Sequence, residues 1–143
     1  METGRIMRNP REESALRLAY MGDAVYEVYI RRWLMEQSLK PVGSLHKESV
    51  QFVKASAQAA FYHLIEAKLT EGERAVMRRG RNAKSAMVPR KADINDYRKA
   101  TGFEALIGFL YLNGEMKRLE EVMGWIFQET QNGSAEETPS SKL

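Results

Sequence analysis

Residues 15–30, ALRLAYMGDAVYEVYI, decide how the rest of the chain is read. Only Arg17, Asp23 and Glu27 carry charge in this stretch; every other position is apolar, aromatic or glycine. At helical pitch Leu16, Tyr20, Asp23, Glu27, Ile30 and Leu34 fall on one side, with Leu18, Val25 and Tyr29 opposite. A helix that is apolar on both sides is expected to be buried. A carboxylate in such a helix is costly: unpaired, it either loses several kcal/mol of solvation or takes up a proton. Asp23 therefore needs a partner. Gly22, next to it, costs a helix about 1 kcal/mol relative to Ala, but it leaves room for another backbone to come close.

Working outward, Asn9-Pro10-Arg11-Glu12 reads as a helix start, with Asn as cap, Pro at the first position and Glu three residues after the cap. The helix then runs to about Gln37, with a break near Ser14 as the alternative. Leu39–Gly43 is a connector, and Ser44 can cap a helix over about 45–67. Thr70 and Glu73 form a capping-box pattern that opens a short helix to about Arg79. Gly80–Ala92, with Gly80, Asn82, Ser85 and Pro89, has little periodicity and is predicted to be a loop. Asp93 caps a further helix, with a break near Ala100, that leads into GFEALIGFLYL (102–112), where Glu104 is the only charge. Asn113-Gly114 ends it. Glu115–Gln128 is amphipathic, and the polar residues after Asn132 are expected to be disordered. No strand-like alternation occurs, so the chain is predicted to be all-α.

The 143 residues suit one domain. There is no Cys, which removes disulfides, thiolate metal sites and a Cys nucleophile. No apolar run approaches the roughly 18 residues of a membrane span, and residues 1–12 lack a signal-peptide core. A soluble, cytoplasmic protein with no membrane partner is expected. The formal net charge is +3. Glu129, Glu136, Glu137 and Lys142 give the last residues a net −2, leaving +5 on the body. Residues 74–91 contain Arg74, Arg78, Arg79, Arg81, Lys84, Arg90 and Lys91 and no acid. A single-sign block of this kind suits a polyanion. It has no interleaved aromatics for stacking single strands, so backbone contact with a duplex fits better. Lys47 and Lys54, seven residues apart, share a helix face and extend the candidate surface, as do Asn82 and Ser85.

Asp23 and Glu104 are the candidate chemistry. Neither has a basic residue within a helical turn of its own helix. If their helices pack side by side, the two acids can share a hard divalent cation such as Mg²⁺ or Mn²⁺, which would stabilise charge on a phosphate. A lone Asp in a helix is more often a structural hydrogen-bond acceptor; two isolated acids together with an acid-free basic block weigh against that. His46 and His63 lack metal-ligand spacing. No Walker loop or G-x-G-x-x-G is present.

LAYMGDAVYE, FEALIGFLYL and, between them, LHKESVQFVKASAQA and RRGRNAKS resemble the ribonuclease III endonucleases, in particular the compact Mini-ribonuclease III branch. The resemblance spans roughly residues 14–128. It implies an all-α endonuclease domain over residues 13–130, with a flexible 1–12, a disordered 131–143 and no separate double-stranded-RNA-binding domain. It further implies a homodimer that hydrolyses double-stranded RNA with a divalent metal, leaving 5′-phosphate and 3′-hydroxyl ends. The branch is associated with maturing the precursor of large-subunit (23S) ribosomal RNA, in which a ribosomal protein can present the RNA. Asp23 matches the family's central catalytic aspartate and Glu104 its metal-binding glutamate. Arg78, Arg79, Arg81, Asn82, Lys84, Ser85, Arg90, Lys91, Lys47 and Lys54 are then the candidate RNA contacts. Two positions depart: larger relatives carry Glu where Ala19 stands and Asp where Thr101 stands. Those losses keep a non-catalytic duplex-RNA or ribosome-associated binder as the second reading. A DNA-binding regulator would explain the charge but not the acids.

Overall fold

A computed structural model describes residues 9–84 and 93–141. Its centre is helix α5 (Ile94–Leu112), opened by Asp93, whose carboxylate accepts from the Asn95 and Asp96 amides, and closed at Asn113 and Gly114 (φ 73°). Gly114 takes the left-handed conformation that ends helices at low cost. Ala100, Gly102, Phe103 and the run Ala105–Leu110 are all buried. The predicted break near Ala100 is absent: Ala100 itself packs inward, and the helix passes through without interruption.

Around α5 lie α1 (Ala15–Gln37), α3 (Ala55–Glu66) and α4 (Glu71–Asn82), with α2 (Val42–Val53) against α1 and α6 (Met116–Ser141) against α5 and α3. Among the described residues there is no strand, so the fold is all-α. Leu18, Ile30, Ile65, Leu106, Ile107, Leu110, Leu119, Val122 and Ile126 are fully enclosed; each such side chain contributes about 1.5–3 kcal/mol relative to leaving it in water. Tyr26 meets Phe103 edge-on at 5.1 Å, and Trp33 stacks on Phe127 at 4.7 Å. No helix of the described residues is long and apolar enough to cross a membrane.

Several predicted boundaries move. Asn9 and Pro10 open only a 3-10 turn, Pro10–Glu12, and Ser14 caps α1 through its hydroxyl. The predicted helix over 45–67 is two helices, beginning at Val42 after Pro41 and interrupted at Lys54, whose backbone is extended (φ −65°, ψ 152°). The interruption frees carbonyls at the end of α2, and two buried side chains take them. The Tyr26 hydroxyl donates to Phe52 O at 2.7 Å, and Gln58 Nε2 donates to Val53 O at 2.9 Å. Unbroken apolar periodicity across 50–65 hid this joint.

Helix α4 continues past Arg79 to Asn82, so Gly80–Asn82 belong to a helix and not to the predicted loop. Gly80 is buried there and meets Gly102 of α5; close packing overrides the punctuation that glycine gives in sequence. At the far end α6 extends to Ser141, beyond the predicted Gln128 and through much of the segment expected to be disordered. Ala135, Glu136 and Glu137 are adequate helix formers, and polar composition alone does not forbid a helix. The last buried residue among those described is Ile126, close to where the sequence ends the packed body.

Candidate active site

The acids meet because α1 and α5 cross on glycine. A methyl group on Gly22 would collide with Glu104 O and lie 2.9 Å from Gly108 N, and one on Gly108 would collide with Leu18 O and lie 2.9 Å from Gly22 N. The two backbones therefore touch directly. Asp23 follows Gly22, and Glu104 stands one turn before Gly108, so the contact that needs two glycines also sets the two carboxylates side by side. The partner that Asp23 requires is another acid.

Their surroundings differ. The sequence places Asp23 in a buried helix, but it is exposed. One face of α1 is enclosed (Leu18, Ala19, Gly22, Val25, Tyr26, Ile30, Leu34), and the other leaves Tyr20 82% and Val28 64% exposed. Apolar residues on both faces thus mark one face for the core and one left uncovered. Glu104 is the more enclosed acid. Burial, the neighbouring Asp23 charge and a hydrogen bond with Asp23 together push its carboxyl from 4.5 up to about 8, while a hydrogen bond from Gln58 acts the other way. Burial first, and then Glu104, also raises the Tyr26 hydroxyl.

No Arg or Lys among the described residues pairs with Asp23 or Glu104. Glu27, on the same helix, is held by Arg31 at 3.1 Å. Thr101 turns its hydroxyl back to Tyr97 O at 3.0 Å, and Ala19 is buried. Neither position offers the pair a carboxylate.

The cations stand apart from the acids. Gly80 and Gly102 bring α4 onto a different face of α5 from the one that α1 covers, with a methyl at Gly102 only 2.6 Å from Met77 O. Arg78, Arg79, Asn82 and Lys84 are exposed at the end of α4, and Arg81 is half-buried. Arg79 Nη1 donates to Glu13 O at 3.2 Å and Arg81 Nε to Asn82 Oδ1 at 3.2 Å, so both guanidinium groups are partly tethered. Lys47 and Lys54 are exposed; Lys54 sits at the α2–α3 joint, its ammonium 3.0 Å from Gln51 Oε1. Ser85, Arg90 and Lys91 lie outside the described residues. Arg74 serves the fold instead, donating to Leu69 O at 2.7 Å. His46 and His63 are exposed.

The site residue that sequence reasoning missed is Gln58. It lies seven residues before Ile65 on the inward stripe of α3, and a polar amide on an apolar stripe was the available signal. It is 2% exposed, and its Oε1 has no hydrogen-bond partner among the described residues.

Residues 16–115 match the family model described as the ribonuclease III domain. The chain is 47% identical over 117 residues to the Mini-ribonuclease 3 of Symbiobacterium thermophilum, covering 82% of this chain and 90% of that one. It is 50% identical over 110 residues to the Mini-ribonuclease 3 of a Thermoanaerobacter species, covering 77% and 78%. The crystal structure of a Fusobacterium nucleatum protein superposes with a TM-score of 0.77 at 28% identity, covering 86% of this chain and 98% of that one. With the paired acids, the all-α frame and these matches over most of its length, the chain belongs to the ribonuclease III family.

Proposed function

We propose that this chain, a double-strand-specific endoribonuclease, cuts its RNA with Asp23 and Glu104 as the residues that hold a divalent cation. The observation that carries the assignment is the pairing of two carboxylates where Gly22 packs on the Glu104 backbone, with no Arg or Lys partner among the described residues. Two like charges so placed repel, and a doubly charged cation removes the repulsion. The donor set is all oxygen, which suits Mg²⁺, with Mn²⁺ as a substitute. Among the described residues no third His, Cys, Asp or Glu joins the pair, so water would fill much of the coordination shell. When bound, such an ion neutralises charge on the phosphate and lowers the pKa of water near it. The protein's own part is to fix the two acids on helices that cannot slide, because the Gly22–Gly108 contact permits one register only. Hydrolysis adds water across a P–O3′ bond: the phosphate stays on the 5′ oxygen of the downstream fragment, and the 3′ oxygen of the upstream fragment leaves with a proton.

Arg78, Arg79, Arg81, Asn82 and Lys84, with Ser85, Arg90 and Lys91 beyond them, are the proposed duplex contacts, and Lys47 and Lys54 extend them. A homodimer fits the uncovered face of α1, where Met21, Ala24, Val28, Tyr111 and Met116 line a cleft of about 420 Å³. Exposed apolar patches of this kind mark interfaces, and two copies would present one site to each strand of a duplex. Residues 13–130 make up the endonuclease body. The proposed substrate is the precursor of large-subunit ribosomal RNA in the cytoplasm, with a ribosomal protein presenting it; the relatives' name, Mini-ribonuclease 3, supports that assignment.

The test is cleavage of a ribosomal-precursor duplex in Mg²⁺. Asp23→Asn and Glu104→Gln are each expected to lose orders of magnitude in rate while folding and binding RNA. Wild-type cutting by either variant would remove the pair from the chemistry.

A further inference from the structure

The last turn of α4 is joined to both helices that carry the acids. On α5, a methyl at Gly80 would lie 2.8 Å from Gly102 Cα and 2.8 Å from Ala105 Cβ. One at Gly102 would lie 3.1 Å from Arg81 N and 3.0 Å from the Tyr62 ring. The main chain of Arg81 is thus pressed on α5 two residues before Glu104, about 3 Å along the helix axis. Tyr62, 1% exposed, packs against the same glycine. On α1, Arg79 Nη1 donates at 3.2 Å to Glu13 O, the carbonyl just before the Ser14 cap. The Ala83 amide donates to Gly80 O at 3.3 Å and closes the turn. The cations of the turn are not equivalent in this frame. Arg78 and Lys84 are exposed. Arg81 is half-buried; its main chain is fixed on α5, and its Nε donates to Asn82 Oδ1 at 3.2 Å.

We infer that Arg81 sets which phosphodiester is cut. It is the specificity-determining residue of the basic turn, and Gly80 and Gly102 are the positioning residues that hold it at a fixed offset from the acids. A duplex presents a regular row of phosphates, so cations that only attract it leave it free to slide. A guanidinium grips phosphate oxygens in a planar fork. Where its backbone cannot move against the catalytic helix, the phosphate in that fork lies at a constant distance from Asp23 and Glu104, and so does the bond to be cut. Arg78 and Lys84 supply attraction without that constraint. Carbon pairs rest at about 3.5–4.0 Å, so a methyl at Gly80 would push α4 off α5 by about 1 Å. A misplacement of that size costs about 100-fold in rate. This inference rests on the reading of α4 as an RNA contact and of the two acids as the cutting pair.

The experiment maps cuts to single-nucleotide resolution on an end-labelled ribosomal-precursor duplex, with the full chain saturating in Mg²⁺, and measures duplex binding without Mg²⁺ by filter binding. Arg81→Gln and Arg78→Gln remove the same charge three residues apart. Both are expected to weaken binding and to lower the log–log salt slope by a little under one unit. Only Arg81→Gln is expected to spread the cuts over neighbouring phosphodiesters; Arg78→Gln keeps the wild-type position. Gly80→Ala is expected to keep RNA affinity while slowing cleavage at saturating enzyme about 10- to 100-fold. The two arginine variants change side chains at the end of a helix and decide the matter even where Gly80→Ala does not fold. Wild-type cut positions with Arg81→Gln, equal scatter with Arg78→Gln, or a wild-type rate in folded Gly80→Ala each overturn the inference. If neither arginine variant changes binding or its salt slope, the assignment of α4 to RNA falls as well.

Discussion

Glu104→Gln should stabilise the metal-free protein in alkaline solution while abolishing cleavage, and the size of the effect follows from the site. In the folded protein the Glu104 carboxyl titrates near 8, against an ordinary 4.5, because it is enclosed and faces Asp23. An acid whose folded pKa is raised binds its proton more tightly folded than unfolded. Between these two values the native state carries the extra proton, so stability falls as pH rises through that window and levels off above about 8. At 1.36 kcal/mol per unit, the loss between pH 5 and pH 8 comes to about 3 kcal/mol. Glutamine cannot ionise and escapes it. Urea unfolding in EDTA at fixed protein concentration, from pH 5 to pH 9, is the assay. Wild type should lose midpoint steadily to pH 8; the variant should be flat across the same range and more stable than wild type at pH 8. Added Mg²⁺ should restore most of the wild-type loss, since the ion stabilises the charged pair. Parallel pH curves for the two proteins in EDTA would show that Glu104 and Asp23 do not interact as described.

Gly22→Ala and Gly108→Ala each force a methyl into the opposing backbone, so a loss of about 3 kcal/mol or more, or failure to fold, is expected by thermal denaturation; wild-type stability would refute the direct contact of α1 and α5. Arg118 holds Glu73, which is 6% exposed, through two 2.9 Å hydrogen bonds. Burial raises the Glu73 carboxyl, but Arg118 and Thr70 outweigh it and hold it low, so Arg118→Ala should cost about 3–5 kcal/mol in chemical denaturation by leaving a buried charge unpaired. Arg78→Gln with Lys84→Gln, both exposed at the end of α4, should weaken duplex-RNA binding and reduce its log–log salt slope by a little under one unit per lost phosphate contact, read by filter binding from low to high salt; an unchanged slope would put the RNA elsewhere. Val28→Asp, on the uncovered face of α1, should yield monomer by light scattering, and a dimer that survives the charge would move the interface away from this face.

The sequence revealed the acids and most of the elements, but not their exposure. Caps are local chemistry, which is why the Thr70–Glu73 box and Asp93 were legible, although at the first helix Asn9 was read as the cap and Ser14 holds that place. The joint at Lys54 was not, because its compensating donors, Tyr26 and Gln58, come from a different helix and from the far side of the break. Glycine misled at Gly80, where a residue that usually ends helices lies inside one in order to meet Gly102. Asp23 misled in a different way: apolar residues on both faces of α1 suggested enclosure, whereas one of those faces is open.

By itself the sequence determined an all-α chain with two isolated acids, a basic segment and no cysteine, because helix periodicity, capping and charge are written in residues a few positions apart. Only the tertiary structure decided that the acids lie side by side, that Glu104 is the more enclosed of the two, that the basic turn of α4 packs on another face of α5, and that Gln58 closes the α2–α3 joint. These depend on which backbones can approach, and two pairs of glycines on α1, α4 and α5 settle that through contacts dozens of residues apart in the chain.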